Sequence, residues 1–356
     1  MSSPVLEISR GAFRRNIAAV RERIAPGQLM LVMKDDAYGY GLGWSVAEAA
    51  SAGVTWFGGY DIATALRIRE ALGIREALGI RELTDRRVYA WATSARGEVS
   101  TAIAAGIDLG VGSMEYLREV ISAAESAGVR ADVHLKIDTG LHRNGFRPEA
   151  WADAVALARA AERRGAVRVI GVWSHLAEAS DAEDDAAQAV FHDAVRQLTD
   201  AGGEPEVLHL TASAASWWRP ELRGSLSRIG AFCYGIRSAD GPQPEGVTLI
   251  SRLIATVDAV DRDRVSIGIG SFHGLPSTLR GASVGTPGGP RRIVEIGGGA
   301  TTVESWTGAR IGDAVAVFGP GGQGESDATA LAERIDTVGE EIMTRLTPAV
   351  RRAVVD

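Results

Sequence analysis

A single cysteine in 356 residues, Cys233, leaves no internal disulfide and no multi-cysteine zinc or iron–sulfur site to be built. It sits within Phe-Cys-Tyr, where a buried, inert thiol is expected. No run of 18 apolar residues occurs, and the N-terminus (MSSPVLEISRGAFRRN) lacks an apolar h-region. Neither a membrane span nor a signal peptide is expected, and a cytoplasmic location is. Blocks of Lys and Arg are also missing, and the net charge is −7, which argues against a nucleic-acid or anionic-membrane surface and for small-molecule or protein partners. The length is too great for one ordinary core, so a large α/β unit plus a smaller one is expected.

From about residue 29 to 236, short apolar runs alternate with longer helical patterns rich in Ala, Arg and Glu, the signature of βα periodicity. The runs are LMLVMK (29–34), TWFGGY (55–60), RVYAWAT (87–93), DLGVGS (108–113), DVHLKID (132–138), VIGVWSH (169–175), VLHLTAS (207–213) and SRIGAFCYGI (227–236). Their nearly unbroken apolar character suits parallel strands covered on both faces, and eight of them predict a closed (β/α)8 TIM-type barrel over residues 10–239. Chemistry in such barrels collects at the C-terminal strand ends, which here present Lys34, Lys136, Arg143, His175, Ser213 and Arg228.

After residue 240 the runs LISRLIATVDAV, RVSIGIG, RRIVEIG, TTVESW and DAVAVFG predict short strands, so residues 240–356, with 1–9, are expected to form a smaller, mostly β domain. Residues 332–352 are expected to close the chain as a helix. The duplication REALGIREALGI (69–80) is too short for a solenoid and reads as an insertion lengthening one helix, and SVGTPGGP (283–290) reads as a flexible loop.

The segment LVMKDDAYGYG (31–41) places Lys34 at the end of an apolar strand, followed by Tyr38 and Gly39. A lysine facing an apolar barrel mouth loses its proton at low cost, as Schiff-base chemistry requires. Arg143 offers a planar fork that suits a carboxylate, with a salt bridge to Asp138 as the structural alternative. His175 reads either as a site residue or as a satisfied core histidine.

LVMKDDAYGYG resembles the cofactor-lysine motif of the alanine racemases, a fold-type III pyridoxal-phosphate family. VHLKIDTGLHRNGF (133–146), GVWSHLAEA (171–179), HLTASAA (209–215), SRIGAFCYGI (227–236) and TVGEEIMTRLTPAVRR (337–352) resemble further family segments in the same order. The resemblance implies pyridoxal 5'-phosphate as cofactor, an amino-acid substrate, a racemase or epimerase activity and a head-to-tail homodimer. It implies that Lys34 carries the cofactor as a Schiff base and acts as base on one face of the α-carbon. Tyr38, Ser213, Gly230 and Tyr234 would surround the phosphate, Arg228 would face the pyridine nitrogen, and His175 would orient Arg228. Lys136 matches the family's carbamylatable lysine, and Arg143 the arginine that holds the substrate carboxylate.

Departures lie in the C-terminal part. Where the family has a catalytic tyrosine in a Val-Ser-Tyr-Gly strand, this chain has Val265-Ser266-Ile267-Gly268, and isoleucine cannot move a proton. His273 is the nearest substitute base. Glu340 stands where a closing-helix tyrosine touches the phosphate, and Ala212 replaces an asparagine. Two other readings follow from these losses: a pyridoxal-phosphate enzyme of another reaction type (decarboxylase, aldolase or one-base proton transfer), and a cofactor-binding homologue without turnover.

Overall fold

The computed structural model describes residues 3–77, 85–92 and 98–356. By their internal contacts they form two units, one of residues 20–34 and 42–230 and the other of residues 1–19, 35–41 and 231–356. The chain opens with β1 (Val5–Ser9) and α1 (Arg10–Ile24).

The larger unit is the expected barrel. Its strands are β2 (Gln28–Val32), β3 (Trp56–Gly59), β4 (Arg87–Ala90), β5 (Ile107–Val111), β6 (Ala131–Lys136), β7 (Val167–Trp173), β8 (Val207–His209) and β9 (Leu226–Ile229). Each pairs in parallel with the next from β2 to β8, and β9 pairs in parallel with β2. Between β8 and β9 the seam is closed by the Arg228 N–H on the Thr211 carbonyl at 3.2 Å and the Leu208 N–H on Ser225 Oγ at 2.9 Å. Between β2 and β3 come α2 (Lys34–Tyr38), a single turn, and α3 (Leu42–Ser51). The connections that follow carry α4 (Ile62–Ala77), α5 (Val99–Ala104), α6 (Met114–Ala127), α7 (Pro148–Arg163), α8 (Asp181–Asp200) and α9 (Ser213–Trp218). The duplicated hexapeptide lies in α4 as far as Ala77, and its last residues, 78–80, lie outside the described set, as does Thr93.

Two layers fill the barrel. At its floor, where the strands begin, Arg87 donates to Asp108 (2.9 and 2.9 Å) and Asp132 (2.8 Å), and Arg168 continues the ring to Asp132 (2.8 Å) and Glu206 (3.0 Å). Above it Met30, Trp56, Tyr89, Trp173 and Leu226 pack together, with Tyr89 edge-on to Trp173 at 5.7 Å between centroids. Large aromatics bring both buried area and quadrupole-directed contacts to a space that aliphatic layers ordinarily fill.

The second sheet comprises β1 and β10 (Ser251–Val260), β11 (Arg264–Ile267), β12 (Ser283–Thr286), β13 (Gly289–Ile296), β14 (Thr301–Glu304), β15 (Ala314–Phe318) and β16 (Arg351–Val355). Its order is β11-β14-β13-β12-β15-β10-β1-β16. Two expectations fail here. SVGTPGGP is no loose loop: Thr286 pairs with Gly289, so that Pro287-Gly288 is the two-residue connection of the β12–β13 hairpin and Val284 is buried. Residues 332–352 are not one helix either. They are split into the end of α10 (Ala328–Glu333), then α11 (Gly339–Thr344), and a final strand that runs parallel to β1. Asp336 at φ 53° and extended Val338 break the helix once, and Pro348, which can neither donate to a helical ladder nor follow a helical residue easily, ends it. No helix among the described residues is long and apolar enough to cross a membrane.

Candidate active site

In the barrel unit Lys34, Lys136, Arg143 and Arg228 gather around His175, and Ser213 and Gly230 follow β8 and β9. Lys34 follows β2 and is half-buried, Lys136 ends β6, and His175 lies two residues beyond β7. Ser213 opens α9, Arg228 lies within β9, and Gly230 follows that strand.

Arg228 is buried and clamped. Its Nη1 donates to the His209 carbonyl and to His209 Nδ1 (3.2 Å). Its Nη2 faces the carbonyls of Ser174 (2.7 Å) and Leu210 (3.1 Å) and His175 Nδ1 (3.2 Å). Five acceptors thus surround the four Nη hydrogens, and Nε–H is the guanidinium donor left without a protein acceptor among the described residues. Trp173 lies under the guanidinium at 5.2 Å. Burial lowers the pKa of Arg228 to about 10, so it stays charged at neutral pH.

His175 must accept from Arg228 at Nδ1, because a guanidinium only donates, so its proton is on Nε2. Burial first, then the charges of Arg228, Arg143, Lys136 and Lys34, lower its pKa to about 3. It is a neutral ring in a strongly cationic mouth. Lys136 is 4% exposed, its ammonium 4.5 Å over the Trp173 ring. Burial, with Arg143 and Arg228 adding to it and Asp138 opposing, lowers its pKa from 10.5 to about 8. Arg143 is exposed and does not pair with Asp138, whose carboxylate instead accepts from His142 Nδ1 (3.0 Å) and the backbone N–H groups of Gly140 (3.1 Å) and His142 (3.0 Å). Its fork is therefore open to an incoming carboxylate.

The second unit holds Tyr38, Tyr234, Ile267, His273 and Glu340. Tyr38 ends a left-handed turn in which Asp35, Asp36, Ala37 and Tyr38 all have φ between 53° and 57°. Its ring meets Tyr234 at 5.0 Å, and Tyr40 stacks on Tyr234 at 5.5 Å. Burial, then the nearby charge of Glu340, keep the Tyr38 phenol protonated far above the usual range. Cys233 is buried and its thiol is pushed up by that burial. Ile267 is fully buried in β11, between Val257 and Thr301. His273 is half-buried, and its Nδ1 accepts from the Gly270 N–H at 3.1 Å, which leaves Nε2 as its outward ring atom.

Three participants were not singled out from sequence. His209 and Trp173 lie in quoted motifs, but only the barrel's closure brings them against Arg228. Glu178, at φ 53°, accepts from the Ala215 N–H at 3.2 Å in the first turn of α9. A positive φ for a glutamate leaves no reliable mark in a sequence.

The comparisons agree with this fold. Residues 8–238 match the family model described as the N-terminal domain of alanine racemase. An alanine racemase of Thermobifida fusca is 35% identical over 97% of this chain and 96% of its own, and one of Beutenbergia cavernae is 34% identical over 97% and 96%. The solved alanine racemase of Streptomyces coelicolor superposes with a TM-score of 0.89 at 31% identity, covering 99% of this chain and 98% of that one. That of Streptomyces lavendulae gives 0.89 at 30% identity, over 100% and 98%. With the fold, the ordered motifs and these relatives in agreement, the chain belongs to the alanine racemase family.

Proposed function

We propose that the protein is a pyridoxal-phosphate-dependent racemase that interconverts L- and D-alanine, and the observation that carries this reading is the clamped guanidinium of Arg228 in a mouth that also holds Lys34. The donor set fits the cofactor. Lys34 supplies the amine that attaches it, Arg228 Nε–H a donor for the pyridine nitrogen, and Tyr38, Ser213, Gly230 and Tyr234 the hydroxyl and backbone donors for its phosphate. The four cations that depress His175 suit an anionic cofactor and a carboxylate substrate.

Bound pyridoxal phosphate supplies the electron sink that makes the substrate α-proton acidic. A charged arginine donating to the pyridine nitrogen keeps that nitrogen unprotonated, which weakens the sink and favours simple return of the proton over decarboxylation or aldol cleavage. Lys34 takes or returns the α-proton on one face. His273, through Nε2, is the group we assign to the other face, since Ile267 carries no proton. Arg143 grips the substrate carboxylate with a two-pronged hydrogen bond. Lys136, with its pKa near 8, has enough free amine at neutral pH to take up carbon dioxide as a carbamate, releasing a proton and giving Arg143 an anionic neighbour. By the same likeness we read the working form as a cytoplasmic homodimer.

The deciding experiment incubates the protein and pyridoxal phosphate with L- or D-alanine in deuterated water, following α-proton exchange by NMR and configuration by chiral chromatography. Exchange with inversion from both enantiomers is expected. Exchange of one enantiomer without inversion would leave Lys34 as the sole base and remove racemisation; no exchange of either would remove alanine as substrate.

Glu340 enters as a handicap. Its charge bears on Tyr38, a proposed phosphate contact, so Glu340→Gln is expected to tighten cofactor binding about fivefold, the effect of roughly 1 kcal/mol of relieved repulsion. A fluorescence titration with pyridoxal phosphate reads this directly, and an unchanged Kd would place Glu340 away from the phosphate.

A further inference from the structure

A line of four buried polar side chains joins the barrel's mouth to its floor. Arg228 Nη1 reaches His209 Nδ1 (3.2 Å), His209 Nε2 reaches His134 Nδ1 (2.8 Å), and His134 Nε2 reaches Asp108 Oδ2 (3.2 Å). Both histidines are 0% exposed, Asp108 2% and Arg228 5%. The direction of every bond is forced. The guanidinium can only donate, so His209 Nδ1 accepts and its one proton sits on Nε2. That proton goes to His134 Nδ1, which puts the His134 proton on Nε2, where it meets a carboxylate that can only accept. Arg87 then holds Asp108 from the far side with two bonds of 2.9 Å.

The surroundings fix the line in place. Trp173 lies parallel to the His209 ring at 5.8 Å with 4° between planes, and Tyr89 stands edge-on to it at 5.4 Å. Burial, then the neighbouring His134 and Arg228, hold the His209 pKa well below its ordinary value, which keeps the ring neutral and the direction intact. A merely space-filling core would not place a donor against an acceptor at three successive steps, since any one mismatched pair would leave a buried polar atom unsatisfied at a cost of about 1–3 kcal/mol.

We infer that His209 and His134 are positioning residues that tether the Arg228 guanidinium to the fixed negative charge of Asp108, so that its Nη hydrogens stay engaged and Nε–H is held as the donor to the cofactor's pyridine nitrogen. This inference rests on the cofactor reading above. The floor of the barrel, on this account, sets the electronics of the mouth: the electron demand at the pyridine nitrogen depends on a carboxylate four hydrogen bonds away.

Two substitutions separate direction from bulk. His209→Gln keeps it, because the amide oxygen accepts from Arg228 while the amide nitrogen donates to His134; His209→Phe keeps the ring's packing and supplies neither bond. With 15N-labelled pyridoxal phosphate bound, His209→Phe is expected to move the pyridine nitrogen signal and to lower kcat about tenfold or more with KM within about twofold, the scale on which groups orienting a contact residue act. His209→Gln is expected to restore both. An unmoved signal and unchanged kcat in a folded His209→Phe protein would overturn the proposal, as would a His209→Gln variant as impaired as the phenylalanine. A readout without cofactor guards against misfolding: 15N-histidine spectra of the unsubstituted protein should show His209 and His134 with protons on Nε2, and an Nδ1–H tautomer at either ring would overturn the proposal. If the protein bound no pyridoxal phosphate the functional reading would fall, whereas these tautomers would still decide whether the directed line exists.

Discussion

Replacing Lys34 by alanine is expected to lower alanine racemisation at least about a thousandfold, equivalent to roughly 4 kcal/mol of lost transition-state stabilisation, and to abolish the visible absorbance of lysine-bound cofactor. On the proposed function two roles meet in this one amine, attachment of the cofactor and proton transfer on one face, so its loss is not offset by the other cations of the mouth. Its position argues the same way. Lys34 follows Val32 and Met33, which are buried, and precedes four residues that all sit in the left-handed region. A left-handed turn of non-glycine residues costs roughly 1–2 kcal/mol per residue and persists only where its surroundings impose it. Here the Gly39 N–H closes on the Asp35 carbonyl at 2.8 Å and the Gly41 N–H on that of Asp36 at 2.9 Å. Gly39 itself, at φ 78°, has no room for a side chain, since a Cβ would lie 2.9 Å from the Met343 carbonyl oxygen. Strain gathered immediately after the proposed cofactor lysine supports that assignment. Racemisation within about tenfold of the unsubstituted protein, measured by chiral chromatography with unfolding checked by calorimetry, would refute the assignment.

How much of this was legible depends on what kind of order produced it. The barrel strands announce themselves because parallel strands covered on both faces must be apolar almost throughout, and each of the eight runs overlaps its strand to within two residues at the strand's start. The places of Lys34, Lys136, His175 and Arg228 at or near strand ends were legible because a strand end is a position in the sequence as well as in space. The left-handed turn was not: Asp-Asp-Ala-Tyr has no glycine, and local propensity points to the right-handed region that the structure avoids. His134 and His209 were visible as letters in motifs, but they are 75 residues apart and their bond exists only because β6 and β8 flank β7 in the barrel sheet. In the C-terminal part glycine misled. Counted as composition it suggested a loop at 283–290, whereas Pro287-Gly288 is a tight turn between paired strands. The closing helix failed for the opposite reason, because the helical pattern of 337–347 does not continue past Pro348, where Arg351–Val355 pair with β1.

Lys136 carries the sharpest conflict between stability and use, and Lys136→Met is expected to make the protein more stable while removing much of its activity. The ammonium is buried, and burial with the charges of Arg143 and Arg228 lowers its pKa from 10.5 to about 8. In the unfolded chain the group titrates near its ordinary value, so the folded state binds fewer protons between pH 8 and 10.5 and stability rises with pH across that interval. Below pH 8 both states are protonated and the full penalty for a buried charge is present, at most roughly 3 kcal/mol from the two values. Methionine keeps the length and flexibility of the side chain, keeps contact with the Trp173 ring through a polarisable sulfur, and carries no charge to bury. In degassed, carbonate-free buffer at pH 7 the variant should therefore melt several degrees higher than the unsubstituted protein, and the gain should shrink as pH rises and vanish above about pH 10. A gain that stays constant with pH would mean that packing, not charge, is relieved; a loss of stability at pH 7 would mean that the ammonium over Trp173 is held by a favourable interaction stronger than its desolvation. Activity should fall in the same variant because neither an amine nor its carbamate remains beside Arg143. A residue that destabilises the fold at the pH where the enzyme works, yet occupies the centre of its mouth, is placed for chemistry and tolerated by the structure.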